Sequence, residues 1–156
     1  MPTDETLRIM IDSNVIISAV MGTKGAPGKL IKEVIQRGDH LLICPFILDE
    51  VRKVLTNRFQ KSPHLQLIWE RLSFFLPFDV LSHPTEEEIS LLDIPPIRDE
   101  NDLMILSTAI YHNVHVFVTG DKDYHTPEIK KKLNVMNPSE FYSLYILDRS
   151  LIRKAT

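Results

Sequence analysis

The chain alternates two hydrophobic rhythms: short, largely apolar runs, and longer stretches in which apolar residues recur every three or four positions. The runs at 7–11 and "HLLICP" (40–45) read as buried strands, and "FDVL" (78–81), "VHVFVT" (114–119) and "VMN" (135–137) as further strands. Between them, "KLIKEVIQRG" sets Leu30, Ile31, Val34 and Ile35 on one helical face and stops at Gly38. "FILDEVRKVLTNRF" does the same with Ile47, Leu48, Val51, Val54 and Leu55. "PHLQLIWERLSFFL", opened by Ser62 and Pro63 and closed before Pro77, reads as a further helix. "RDENDLMILSTAIYHN" gathers Leu103, Leu106 and Ile110, with Ile105 and Ala109, on one side and ends at Asn113. "TPEIKKKLN" reads as a lysine-rich helical stretch and "PSEFYSLYIL" as a closing helix. "MGTKGAPGK", with three of the five glycines, reads as a loop, and 82–98 leaves a short helix from Pro84 and a meandering connection equally open. Strands alternating with helices over short links predict an α/β fold: a three-layer α/β/α sandwich around a central, mainly parallel sheet, in a single domain spanning 1–156.

Composition narrows the class of protein. At 156 residues the chain is long enough for one self-supporting core, and 44% apolar and 25% charged residues with a mean hydropathy of -0.05 are ordinary for a globular protein. No apolar run approaches the ~20 residues of a membrane span, and no basic-then-apolar leader is expected. The single cysteine, Cys44, makes no internal disulfide, so a reducing cytoplasm is the expected setting. A net charge of -3 argues against coating of nucleic acid by a basic surface. It leaves room for an acidic pocket that reaches nucleic acid through metal ions.

The stretch "LRIMIDSNVIISAV" carries the chemical question. Asp12 interrupts an apolar segment, and a desolvated carboxylate is costly unless it is paired. It is either a helix cap or part of a site. In an open α/β sheet, ligands bind beyond the carboxyl ends of the strands where the strand order reverses. Asp12 ends the first strand, Asp121 follows the "VFVT" strand, Glu50 lies about one and a half turns into the helix after the second strand, and Asp102 falls in the first turn of "NDLMILSTAI". Asn14, Asp99 and Asp123 stand two or three residues from these. Singly, each acid has a bland reading: Asp12 and Asp99 as caps, Asp102 as complement to a helix dipole, Glu50 as a solvated helix residue, Asp121 as turn chemistry. Together, converging carboxylates repel one another unless some are protonated or a cation joins them, and oxygen-only ligands favour Mg²⁺ or Mn²⁺.

"MIDSNVIISAV", "DEV" at Glu50, "NDLMILSTA" and "VTGDKDY" resemble, in order and spacing, the acidic signatures of the PIN domain, the nuclease fold of the virulence-associated protein C toxins. The resemblance is closest to the group of PIN-family toxin components. It implies Asp12, Glu50, Asp102 and Asp121 as the catalytic, metal-binding set, with Asn14 as the polar residue after the first acid and Asp123 as an accessory acid. It further implies a Mg²⁺- or Mn²⁺-dependent endoribonuclease acting on RNA, the toxin of a type II toxin–antitoxin pair with a cognate antitoxin protein, and a homodimer. One departure is the loop from Asp93 to Glu100, whose two prolines and extra acids leave the role of Asp99 open. The alternatives are an RNA-processing or single-strand nuclease without an antitoxin, and an inactive PIN module that only binds a protein partner. A phospho-acceptor receiver domain would need a lysine at a later strand end, which "VTGDKD" fits poorly.

Other features weigh less. The six histidines are scattered, against a zinc site, and the lysines at 130–132 read first as a solvated helix face. Trp69, Phe74, Phe75 and Phe78 favour core packing or a dimer surface over base stacking. Cys44 reads as a small core residue and Thr119 as a hydroxyl that fixes a strand end.

Overall fold

The computed structural model describes residues 6–22, 24–75 and 77–154, and the side chains of these apart from 72–75 and 154. Its centre is a five-stranded sheet of β1 (Arg8–Ile11), β2 (His40–Ile43), β3 (Phe78–Val80), β4 (Val116–Val118) and β5 (Val135–Met136). The strand order is β3-β2-β1-β4-β5 and every pairing is parallel. Successive strand residues point to opposite faces, yet Ile9, Met10 and Ile11 are all 0% exposed, so both faces of β1 are covered. That is why β1, β2 and β4 read as largely apolar runs rather than alternating ones, while the edge strand β3 is mostly exposed.

The covering helices are α1 (Ser13–Met21), α2 (Ala26–Arg37), α3 (Pro45–Phe59), α4 (Pro63–Phe75), α5 (Glu86–Ser90), α6 (Glu100–Tyr111), α7 (Pro127–Lys130), α8 (Pro138–Leu147) and α9 (Ser150–Lys154). Polar side chains start several of them by accepting a hydrogen bond from a free N–H of the first turn. Asp12 caps α1, Asp99 caps α6 and Asn137 caps α8, while Thr85 and Glu88 close a reciprocal capping box on α5. Gly38 ends α2 at φ 77°, a conformation without steric cost only for glycine.

Three details differ from the sequence reading. The expected loop at 21–29 gives way to α2 at Ala26, because Pro27 sits in the first turn, where its missing N–H costs nothing. The helix expected over 126–134 is the single turn α7, after which the chain bends so that Ile129 and Leu133 are both buried before β5. A further short helix, α9, follows the expected closing helix. It carries a structural charge contact: Arg149, just before α9, and the Tyr145 hydroxyl of α8 both donate to the buried Asp39 carboxylate, which also accepts from the Leu7 N–H at 2.8 Å. The C-terminal helices are thereby tied to the entrance of β1.

Cys44 is fully buried, and burial pushes its thiol up to about 11. Trp69 and Phe78 pack partly buried against the core, while the side chains of Phe74 and Phe75 lie outside the described residues. The histidines stay apart: His40 faces Asp79, His83 packs edge-on against Phe46, and His112 bonds the Ser82 carbonyl.

Candidate active site

The order of the strands places the site. The first connections build outward from β1 to β2 and β3, and the chain later returns to the other side of β1 as β4 and β5, so the order reverses between β1 and β4. Beyond their carboxyl ends lies the crevice where such sheets bind ligands. The Asp12 N–H donates to the Val118 carbonyl at 3.0 Å, fastening the two strand ends together.

Asp12 is both cap and buried acid, being only 4% exposed. Its Oδ1 accepts from the Ser13 N–H at 2.8 Å, and its Oδ2 accepts from the Thr119 hydroxyl at 2.6 Å and the Asn14 amide at 3.2 Å. Thr119 in turn accepts from the Asp121 N–H at 3.1 Å, and the Asn14 Oδ1 accepts from the Gly120 N–H at 3.2 Å. Thr119 and Asn14 thus lock the turn that carries Asp121 onto the carboxylate of Asp12. Burial pushes Asp12 up to about 6 from the ordinary 3.8. The hydrogen bonds from Thr119 and Ser13 pull the other way, and the charges of Glu50 and Asp102 push it higher.

Asp121 caps the short 3-10 turn Lys122–Tyr124 by accepting from the Asp123 N–H at 3.0 Å. That turn folds Asp123 back, so that one carboxylate oxygen from each of Asp102, Asp121 and Asp123 lies within 4.8 Å of the others. Asp99 caps α6 and makes Asp102 its third residue. From there the Asp102 carboxylate accepts from the Tyr124 hydroxyl at 3.0 Å. Burial raises the pKa of Asp102, the Tyr124 hydroxyl opposes this, and the charges of Asp99, Asp121 and Asp123 add to the rise. Tyr124 is itself raised, first by burial and then by the charge of Asp12 and Asp102, so it stays a donor.

Glu50 stands on the opposite bank. With Asp49 and Lys53 from α3 and Asp99, Asn101 and Asp102 from α6, it lines a cleft of about 330 Å³. On the other side of the acids, Asn14, Ser18, Pro27, Asp121 and Pro138 line a second groove of about 410 Å³. The expected residues therefore fall on one edge of the sheet but not in one ring. Asp123, expected as an accessory, stands with Asp102 and Asp121. Asp12 lies behind in the core, and Glu50 faces the cleft. Sequence reasoning missed Tyr124, whose buried hydroxyl needs a partner in any fold, and Arg98, which pairs with Asp123 at 3.1 Å.

The three-oxygen group fits a small hard cation. The donors are all carboxylate, and although burial is the first cause of the rise at Asp102, the charges of Asp99, Asp121 and Asp123 add a repulsion that a positive ion would relieve.

The sequence profile of the PIN domain matches residues 8–123, a span that runs from β1 to Asp123 and includes every acid named above. The chain belongs to the PIN-domain family. The PIN chain is similar to an uncharacterized protein of Methanocaldococcus jannaschii, at 28% identity over 145 residues, covering 86% of this chain and 89% of that one. Among solved structures it resembles PAE2754 from Pyrobaculum aerophilum, with a TM-score of 0.57 and 16% identity over 91% of this chain and 97% of that one. It also resembles VapBC2 from Rickettsia felis, solved bound to a DNA fragment from its promoter, with a TM-score of 0.56 and 20% identity over 83% and 97%. VapBC-1 from nontypeable Haemophilus influenzae follows, with a TM-score of 0.53 and 23% identity over 84% and 98%. At these identities the solved structures establish a shared fold. No helix among the described residues of the PIN domain is long and apolar enough to cross a membrane.

Proposed function

We propose that this PIN domain is a Mg²⁺- or Mn²⁺-dependent endoribonuclease that hydrolyses RNA phosphodiester bonds as the toxin of a type II toxin–antitoxin pair. The observation that carries the reading is the meeting of Asp102, Asp121 and Asp123 at the sheet's switch point in a chain of this family. Those three acids would hold the cation, with Asp12 and Glu50 supplying further negative charge around it. A bound divalent ion would lower the pKa of a water and offset charge developing on the phosphate.

The chain's own residues do the positioning. Thr119 and Asn14 fix Asp12 and the Asp121 turn as one rigid unit, and Tyr124 fixes the rotamer of Asp102. Such support from neighbouring hydrogen bonds keeps acidic ligands in place when no ion is bound. Glu50, exposed on the cleft wall, is free to orient a water.

The VapBC likenesses support an antitoxin protein as partner. A homodimer is favoured by apolar surface left open on neighbouring helices. α4 packs on α1 yet leaves Leu67 45% exposed, and α1 ends on Met21, 42% exposed. A reducing cytoplasm suits the single buried thiol of Cys44.

The test is cleavage of single-stranded RNA by the purified chain. Activity is expected with Mn²⁺ or Mg²⁺, is lost in chelator, and leaves 5′-phosphate and 3′-hydroxyl ends. Cyclic-phosphate products formed in the absence of metal would overturn the mechanism.

A further inference from the structure

The acid-lined cleft poses an electrostatic difficulty for its own substrate. Asp49, Glu50, Asp99 and Asp102 all face it, and a single-stranded polyanion approaching that wall is repelled unless fixed cations lie along its path. With a net charge of -3 the protein as a whole supplies none of that attraction, so the cations must be local.

The outer face of α3 provides them. Past Glu50, the residues Arg52, Lys53, Thr56, Asn57 and Gln60 line a shallow open groove of about 370 Å³. Lys53 belongs to both this groove and the acid-lined cleft, so the two are continuous at its side chain. Arg52 and Lys53 are exposed, and among the described residues neither enters an ion pair, although Asp49 and Glu50 are their sequence neighbours. Two other cations are already engaged: Arg98 holds Asp123, and Lys132 holds Asp93 at 2.9 Å.

We propose that this face of α3 is the track for the RNA backbone on one side of the scissile bond, with Arg52 and Lys53 holding successive phosphates. Thr56, Asn57 and Gln60 add neutral hydrogen-bonding groups that suit phosphate oxygens and ribose hydroxyls without reading bases. From Glu50 to Gln60 the helix rises about 15 Å, the length of about four stacked nucleotides. The proposal rests on the RNA-cleaving reading above and adds where the strand runs and which residues hold it. Lys53 and Arg52 are positioning residues here, since they act on the strand away from the reacting phosphate.

The experiment compares the unsubstituted chain with Lys53→Gln and Arg52→Gln/Lys53→Gln on a single-stranded RNA with one cleavable bond. Melting temperatures should match, because both side chains are exposed. KM should rise several-fold in the double variant and less in the single one, with kcat nearly unchanged. The fall of log(kcat/KM) with log[salt] should flatten by about 1.4 in the double variant, two phosphate contacts at about 0.7 each. Trimming the RNA by about four nucleotides on one side of the bond should weaken binding to the unsubstituted chain and leave the double variant indifferent. A folded double variant with unchanged KM and salt slope overturns the track while leaving the nuclease reading intact. A loss confined to kcat also overturns it. If the unsubstituted chain cuts no RNA in either metal, the nuclease reading falls and the track with it.

Discussion

Asp12→Asn, measured without metal, tests whether this carboxylate is strained in the empty fold. Burial sets the Asp12 carboxyl at about 6 against an ordinary 3.8. At 1.36 kcal/mol for each tenfold change, the ionised acid costs the folded protein about 3 kcal/mol at pH 7.5. The asparagine removes that cost and keeps the carbonyl oxygen that accepts from Ser13. Its amide group, however, now faces the Asn14 amide and the Thr119 hydroxyl, and one lost hydrogen bond returns about 1 kcal/mol. The net gain at pH 7.5 is about 2 kcal/mol, or roughly 4–8 °C in Tm for a domain of this size. The sign depends on pH. Because the folded value is raised, the folded state binds more protons than the unfolded one between 3.8 and 6, and wild-type stability from this group falls as pH climbs through that window. By pH 4 the cost has almost vanished, and the variant should be equal to or slightly less stable than the wild type. Urea unfolding of both proteins in chelator at pH 7.5 and pH 4 reads the difference directly. A variant less stable at pH 7.5, or a difference that does not change with pH, would refute the reasoning.

Two other expectations follow from neighbouring geometry. Asp99→Ala removes a cap and should cost about 1 kcal/mol of metal-free stability while leaving RNA cleavage nearly intact, whereas Asp102→Asn should lower turnover by orders of magnitude at little cost to the fold; loss of activity in the first with survival in the second would put Asp99 in the site. Arg149→Met should cost about 3–5 kcal/mol at pH 7 in thermal or urea unfolding, because it strips a buried carboxylate of its cation. Burial alone would raise Asp39, but bonds from Arg149, Tyr145 and Leu7 hold it below 3.8, so in the wild type this contribution is present above that pH and disappears as pH falls through the folded value. An Arg149→Met protein as stable as the wild type at pH 7 would mean that Asp39 needs no cation.

What the sequence revealed and what it hid divide along physical lines. β1, β2 and β4 were legible because strands buried on both faces must be apolar throughout, and Asp12 stood out because it broke that rule. Asp99 and Asp102 were legible as cap and third helical position because capping is a local contest among a few N–H groups. The start of α2 was hidden because "GAPGK" has loop composition, although proline in a first turn is an ordinary helix start. α9, five residues long, is too short for a period to show. The closeness of Asp123 to Asp102 depends on how one 3-10 turn folds back, and the pairing of Arg98 with Asp123 joins residues 25 apart; neither leaves a trace in local pattern.

The bonds from Thr119 to Asp12 and from Gly120 to Asn14 close over separations of 107 and 106 residues. A ribosome delivers the chain from its amino end, so Asp12 waits through the synthesis of the intervening residues for the segment that completes its surroundings. β2 and β3 can dock on β1 in the meantime, but the crevice has only one wall until β4 arrives. On the RNA-cleaving function proposed above, the protein would thus be made beside its own messenger in a form without a finished site. The order of the strands delays the finished site until Asp121, Asp123 and Tyr124 have left the ribosome, and products truncated before them would lack it.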